Sequence, residues 1–175
     1  EEIGSNINRG GYSSAYTAAG IVLDTRERLA SLFHFKQIEN VVFTLNITQS
    51  LNFIIKGFLK PGNHCIVTSM EHNAVMRPLT QMQKKGIELT KVPCDMQGKL
   101  NPDDLKAAIK SNTKAVIMLH SSNVCGTIMP VEAIGEICKS YGIKFILDTA
   151  QTAGILDIDF HKLNLSALTF TGHKG

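Results

Sequence analysis

Apolar positions along this chain follow two spacings, one typical of helices and the other of buried strands. Apolar and alanine residues recur at helical spacing from Ala15 to Phe33, after a polar, glycine-rich start over residues 1–12. This pattern predicts a long amphipathic helix. Beyond it we predict strands over residues 40–44, 64–68, 87–92, 115–119, 144–147 and 167–170. We predict the helices between them over residues 49–59, 73–84, 102–110 and 131–141.

The predicted strands indicate the class of fold. Several of them are apolar throughout, such as residues 116–119 and 145–147, as expected for strands that are buried on both faces. Strands that alternate with helices in this way form a mainly parallel sheet with helices on both faces. We therefore predict a single α/β domain, and we expect its ligand site outside the carboxyl ends of the strands.

The composition narrows the possible functions. The formal net charge of +3 comes from 18 basic and 15 acidic residues that are scattered along the chain, so we do not expect a nucleic-acid partner. No apolar run approaches the roughly 20 residues that cross a membrane, and the first residues do not resemble a signal peptide. We expect a soluble, cytoplasmic protein without a membrane partner. No C-x-x-C pair is present, so neither a zinc site nor a disulfide framework is predicted.

Three of the predicted strand-to-helix loops carry polar residues whose roles stay open. The loop over residues 44–50 begins a helix, which suits either a bound phosphate or simple capping by Asn46 or Thr48. Neither a dinucleotide nor a nucleoside-triphosphate motif occurs. His72 follows the second strand, where a lone histidine is more often structural. Asn123 lies in the loop that follows the most apolar strand, and that loop by itself is an ordinary turn.

The last two loops carry a carboxylate and an amine. Asp148 comes directly after a buried strand, where a carboxylate is costly unless a cation accompanies it, and Gln151 follows three residues later. Lys174 follows the final strand, together with Thr171 and His173. Lysine forms Schiff bases, and a carboxylate is the usual partner of a protonated pyridine nitrogen. A plain ion pair between Asp148 and Lys174 explains these two residues equally well.

Five motifs taken in order resemble the class V aminotransferase family of pyridoxal-phosphate enzymes. Within that family, cysteine desulfurases and selenocysteine lyases are the most similar. The resemblance extends over essentially the whole chain. The motifs are N-x-T-x-x-L-N at 46–52, E-H-N at 71–73, S-N-V-x-G-T at 122–127, D-x-A-Q at 148–151 and T-G-H-K-G at 171–175.

The resemblance implies a fold of the aspartate aminotransferase type, with residues 1–175 as the large domain that binds pyridoxal 5'-phosphate. By the same resemblance, Lys174 is the Schiff-base lysine, Asp148 partners the pyridine nitrogen, and His72 stacks on the ring. The other cofactor-binding positions that it implies are Asn123 and Gln151 near the ring hydroxyl, and Asn46, Ile47, Thr48, Thr171 and His173 on the side of the phosphate.

The resemblance also implies an activity and partners. The expected reaction converts L-cysteine into L-alanine and an enzyme persulfide, in a homodimer that passes sulfur to an acceptor protein. The family's substrate-binding arginine, nucleophilic cysteine and small C-terminal domain normally follow the lysine, so we expect them to be absent and this fragment alone to be inactive. Ile47 replaces a threonine of many relatives, which loses one hydroxyl contact. Cys125 does not match the nucleophile.

Other functions stay open at this stage. A class V aminotransferase or another pyridoxal-phosphate lyase would share almost all of these motifs. A cysteine hydrolase that uses Cys125 and His120 is a different possibility, but it leaves Asp148, Gln151 and Lys174 unexplained. A non-catalytic interaction module is the third alternative.

Overall fold

A computed structural model describes residue 7 and residues 12–174 of the chain. The predicted polar start over residues 1–12 therefore lies outside the described residues except at its positions 7 and 12, and so does Gly175 of the last motif. The described residues divide into two compact units, with the boundary between Phe43 and Thr44.

The first unit is built around one long helix. Helix α1 spans Ser13–Leu32, which confirms the helix predicted from Ala15 to Phe33. The strand predicted over residues 40–44 is wrong: a short 3₁₀ helix covers Ile38–Asn40, and residues 41–44 have no regular structure. The run is rich in β-branched and aromatic residues, but no strand in the described part of the chain pairs with it. Strand propensity without a partner does not form a sheet.

The second unit contains a sheet of five parallel strands. Their order across the sheet is β2-β1-β3-β4-β5. All five had been predicted, with ends that differ by at most two residues. The strands are β1 at His64–Thr68, β2 at Glu88–Val92, β3 at Thr113–Leu119, β4 at Lys144–Asp148 and β5 at Ala167–Thr169.

Four helices accompany these strands: the first precedes β1, and the other three connect β1 to β2, β2 to β3 and β3 to β4. They begin close to the predicted positions, although the third ends three residues earlier than predicted. No helix of the described residues is both long and apolar enough to cross a membrane. The helices are α2 at Ile47–Phe58, α3 at Asn73–Gln83, α4 at Pro102–Ala107 and α5 at Val131–Tyr141.

The core lies on both faces of the sheet. Side chains of β1, β3 and β4 that include Val67, Ile117 and Ile146 pack against α2 and α3. Because successive side chains of a strand point to opposite faces, Val116 and Phe145 face the other layer, where α5 contacts β4 and α4. Both residues are fully buried. The predicted α/β class, with helices on both faces of a parallel sheet, is confirmed.

Candidate active site

The carboxyl ends of three neighbouring strands are held together by hydrogen bonds beyond the strands themselves. The N–H of His120, just after β3, donates to the carbonyl oxygen of Asp148 at 2.9 Å. Thr149, just after β4, donates to the carbonyl oxygen of Thr169 from its N–H at 2.8 Å and from its hydroxyl at 3.0 Å. These contacts fix the backbone at the edge of the sheet where the candidate residues lie.

Asp148 places a buried carboxylate at this edge of the sheet. Its side chain is only 5% exposed at the end of β4, and its Oδ1 accepts the N–H of Ala150 at 2.9 Å. Burial raises the pKa of Asp148, while the Ala150 hydrogen bond and the nearby His72 and Lys174 side chains act in the opposite direction. Of the three residues that the sequence predicted as catalytic, His72 and Lys174 therefore each lie within electrostatic reach of Asp148.

His72 and Lys174 reach this point from different parts of the chain. His72 is the N-cap of α3, and its Nδ1 accepts the N–H of Ala74 at 3.1 Å. The remainder of the ring is exposed, as is Lys174 five residues beyond the end of β5. Both side chains are free to contact a ligand while Asp148 anchors the site below them.

Two buried polar atoms beside Asp148 lack hydrogen-bond partners among the described residues. They are Oε2 of Glu71 and the hydroxyl oxygen of Thr169. Thr169 is the register partner of Asp148 on β5, so the two side chains lie on the same face of the sheet. Unsatisfied buried polar atoms are rare and usually mark a missing partner or a functional role. Sequence reasoning gave neither residue a role, although Glu71 lies within the E-H-N motif.

The start of α2 is capped by its own residues. Asn46 is the N-cap, and its side chain accepts the N–H of Gln49 at 2.9 Å. Gln49 reaches back in turn and accepts the N–H of Leu45 at 2.8 Å. The capping role that the sequence left open for Asn46 is therefore confirmed. Ile47 begins the helix and Thr48 is exposed beside it, with backbone N–H groups that are available to an anion at this helix end.

The remaining predicted positions lie in loops at the same edge of the sheet. Thr171 and His173 contact each other through the hydroxyl and Nδ1 at 2.8 Å, in the segment that follows β5. Helix α2 packs against β5. Gln151 is half-buried in the turn after β4, and Asn123 is exposed in the loop after β3. The structure gives no direct hydrogen bond from Asn123 or Gln151 to Asp148 among the described residues.

Cys125 and His120 are not paired in the way that a cysteine hydrolase requires. The Cys125 thiol is exposed and contacts the Thr127 hydroxyl at 3.2 Å. The His120 ring is buried, and its Nδ1 bonds to the Thr152 hydroxyl at 2.9 Å. Each side chain is held by its own neighbours, so the geometry does not support this alternative.

The residues fit pyridoxal phosphate on chemical grounds. A buried carboxylate is stable when a cation offsets its loss of hydration, and a protonated pyridine nitrogen is such a cation. The amine of Lys174 and the imidazole of His72 act on the same carboxylate, which is the set of groups that the cofactor requires. A helix N-terminus with free N–H groups suits its phosphate.

Known proteins resemble the chain in sequence and in structure. A cysteine desulfurase from Dictyoglomus turgidum is 35% identical over 155 residues, which are 86% of this chain and 39% of that protein. A cysteine desulfurase from Vibrio vulnificus is 37% identical over 153 residues, which are 85% of this chain and 38% of that protein. The chain thus spans about two fifths of the length of these curated relatives.

Two solved structures share the fold. The apo structure of a cysteine desulfurase from Thermococcus onnurineus superposes with a TM-score of 0.91 and 32% identity, over 99% of this chain and 44% of that chain. The structure described as SspA in complex with cysteine has a TM-score of 0.92 and 28% identity, over 98% of this chain and 50% of that chain. The family model described as "Aminotransferase class-V" matches residues 1–175. The chain belongs to the class V aminotransferase family, as its five ordered motifs had predicted.

Proposed function

We propose that this chain is the cofactor-binding large domain of a pyridoxal-phosphate-dependent cysteine desulfurase and that Lys174 carries the cofactor. The observation that supports this most is the arrangement around Asp148: a buried carboxylate at a strand end with His72 and Lys174 acting on its charge. The relatives named above as cysteine desulfurases support the reaction, and a neighbour described in complex with cysteine supports the substrate.

Asp148 has the role of holding a proton on the ring nitrogen of the cofactor. When bound, the cofactor withdraws electrons from the substrate Cα, and it does so best with that nitrogen protonated. Burial strengthens the interaction between the carboxylate and the ring, because little water is present to screen it. The Ala150 N–H fixes one carboxylate oxygen and leaves the other for the ring nitrogen.

His72 and Lys174 act on the two sides of the reacting centre. His72 presents its ring in an orientation that its bond to Ala74 fixes, and the exposed face of that ring packs on the cofactor. Lys174 would hold the cofactor through its amine. Once free, its Nζ would take the proton from the substrate Cα as a general base.

The other residues position the cofactor. We assign the phosphate to the N–H groups at the start of α2, to Asn46, Ile47 and Thr48, and to the Thr171–His173 pair. Asn123 and Gln151 are assigned to the ring hydroxyl. Ile47 packs partly against the core and offers its backbone N–H, whereas the other assigned residues are polar and lie at the same edge of the sheet.

The proposal extends to the whole protein. We propose that the whole protein is a homodimer that removes sulfur from L-cysteine and leaves L-alanine. The sulfur then passes to an acceptor protein. All four cysteines are free thiols, as expected for the reducing environment of the cytoplasm. Persulfide chemistry needs reduced thiols, so we propose the cytoplasm as its location.

Reductive trapping tests the role of Lys174. Borohydride added to the protein with pyridoxal phosphate should fix the cofactor to Lys174 and to no other lysine, as read by peptide mass spectrometry. Lys174→Ala should lose the label and the visible absorbance band while its circular dichroism is unchanged, because the side chain is exposed and is not a core contact. The exposed Lys162 provides the control variant Lys162→Ala, which should keep the label. Labelling of another lysine would overturn the assignment.

The Asp148→Asn variant tests the role of the carboxylate in the full-length enzyme. We expect it to keep the Lys174 label and to lose at least about tenfold in turnover, since one unit of pKa at the ring nitrogen is worth about 1.4 kcal/mol. Alanine release from L-cysteine is the measurement, and it also separates desulfurase from aminotransferase activity. A near-normal rate would show that Asp148 is only structural.

A further inference from the structure

Glu71 is a half-buried acid with one fully buried carboxyl oxygen, and the proposed reaction does not use it. It lies between the end of β1 and the start of α3, next to His72. Its Oε1 accepts the hydroxyl of Thr68, the last residue of β1, at 2.7 Å. That hydroxyl also accepts the N–H of Met70 at 3.2 Å, so its single proton is available for the bond to Oε1. The second oxygen, Oε2, is buried without a hydrogen-bond partner in the described part of the chain.

This geometry indicates where a proton would reside. An ionised carboxylate with a buried, unbonded oxygen pays the full cost of lost hydration, whereas a protonated one carries no net charge. Because Oε1 already accepts a hydrogen bond, Oε2 is the atom that would hold the proton. Burial and, to a smaller extent, the negative charge of Asp148 raise the pKa of Glu71 to about 8, against hydrogen bonds from the Thr68 hydroxyl and from the backbone of Thr68 and Leu119.

Glu71 and Asp148 differ in what surrounds them. Asp148 has an N–H donor and the side chains of His72 and Lys174, which favour its anionic form. Glu71 has only uncharged donors, the Thr68 hydroxyl and the backbone of Thr68 and Leu119, which lower its pKa less than burial and the repelling charge of Asp148 raise it. Cys65 on β1 is a further titratable group near Glu71, and burial raises the pKa of that thiol so that it stays neutral. When two carboxyl groups share a site, the proton resides on the one with the weaker support for charge.

We propose that Glu71 is a positioning residue that holds the single proton of a carboxyl pair with Asp148, so that Asp148 remains the anion that faces the cofactor ring. The placement of the two acids rests on the sheet: the backbone of Leu119 contacts the Glu71 carboxyl, and Leu119 is the register partner of Asp148. Its consequence for the ring rests on the function proposed above. A second negative charge at this edge would compete with Asp148 for the same cations. It would also change the pKa of the ring nitrogen of the cofactor.

The proton can be observed in the chain without cofactor. Infrared difference spectra should show the carbonyl band of a protonated carboxylic acid at neutral pH, and this band should disappear with a midpoint near pH 8. Glu71→Gln should lack the band, and the exposed control Glu132→Gln should keep it. A band that persists in Glu71→Gln, or that is absent from the wild type at pH 7, overturns the proposal.

The coupling to Asp148 has a separate test, which also serves if Glu71→Gln fails to fold. In Asp148→Asn the repelling charge is gone, so the midpoint of the Glu71 band should move to lower pH. An unchanged midpoint means that the two acids do not form a pair. With pyridoxal phosphate bound, the absorbance of the cofactor should change near the Glu71 midpoint in the wild type and not in Glu71→Gln.

These outcomes are distinguishable from failure of the proposed function. If borohydride labels no lysine while the band behaves as described, then the cofactor assignment is wrong and the carboxyl pair stands. If Lys174 is labelled and the band is absent at neutral pH, then the cofactor assignment stands and Glu71 is not the proton holder.

Discussion

The four thiols of this chain show how one residue type acquires different chemistry from its surroundings. Burial raises the pKa of Cys65 and raises that of Cys138 to about 12, so both stay protonated. The exposed Cys125 is the opposite case, because hydrogen bonds from Ser122 and Thr127 lower the pKa of its thiol to about 7. The thiolate is the reactive form of cysteine, so these environments determine which thiol reacts.

We expect Cys125 to be alkylated first when the folded protein meets iodoacetamide. At pH 7 about half of this thiol is ionised, against a few per cent for an ordinary cysteine of pKa about 8.5, so it should react about ten times faster. Time-resolved peptide mass spectrometry is the measurement, with Cys125→Ser as the control. Earlier labelling of the half-buried Cys94, or of either buried thiol, would show that the surroundings of Cys125 do not make it the most reactive thiol.

The sequence could point to Asp148 and Lys174 but not to the role of Glu71. A carboxylate directly after an apolar strand can be recognised in the sequence, because the all-apolar composition of that strand already predicts its burial. The proton of Glu71 depends on Thr68, on the backbone of Leu119 and on Asp148, which lie on three different strands. Only the sheet order brings these groups together.

At the level of elements, three of the five described α-helices begin at a residue whose side chain caps them, whereas α1 and α5 begin without such a cap. Asn46 and Asn101 each accept an N–H near the start of their helix, and Pro102 occupies the first turn of α4. Helix ends were predicted less well: α4 ends at Ala107 and not at residue 110. The sequence has no glycine or proline there to mark the end, so its position depends on packing.

Two helical glycines allow a matched test of packing. A Cβ at Gly135 of α5 would collide with the carbonyl oxygen of Leu163 and lie 3.0 Å from its carbonyl carbon, whereas a Cβ at Gly57 of α2 meets nothing within 4 Å. We expect Gly135→Ala to lower the free energy of unfolding by about 1–3 kcal/mol. Gly57→Ala should raise it by about 0.5–1 kcal/mol, since alanine restricts the unfolded chain.

Urea unfolding of the two variants and the wild type, followed by circular dichroism, gives these differences. The substitution is the same in both helices, so helix propensity favours alanine equally in each. A stabilised Gly135→Ala protein would show that α5 is not pressed against the segment that contains Leu163.

At the level of the whole molecule, a buried histidine links three strands by hydrogen bonds, away from the strand ends that carry the candidate active site. His64 on β1 is fully buried, and its ring nitrogens bond to the Thr113 hydroxyl of β3 at 2.7 Å and to the Thr90 hydroxyl of β2 at 2.8 Å. Burial lowers the pKa of His64, the charge of Lys110 lowers it further, and Glu88 opposes them. The neutral ring is therefore the form that the fold stabilises.

We expect acid to destabilise the protein through His64. In the unfolded chain a histidine gains its proton near pH 6.5, and the folded chain resists that proton to a lower pH. The unfolded state therefore binds more protons in this range, so stability is lost as the pH falls below about 6.5. The melting temperature measured from about pH 8 to about pH 5 should show this fall.

The variants of two histidines isolate the contribution of His64. His64→Asn should make the melting temperature less dependent on acid, while His161→Asn, at an exposed position, should leave the fall as it is in the wild type. Part of the fall should remain in His64→Asn, because burial also lowers the pKa of His120. An identical slope in His64→Asn and the wild type would mean that the His64 proton does not contribute.

The class of fold, five strands, five helices and the family could all be predicted from the amino-acid sequence. These depend on local periodicity, caps and ordered motifs, which a chain carries along its length. The tertiary structure decided what depends on neighbours that are distant in sequence. It removed the strand predicted over residues 40–44, which found no partner, and it set the surroundings of Asp148 and Glu71. Burial and charge act through space, so the ionisation of a side chain follows from the fold around it.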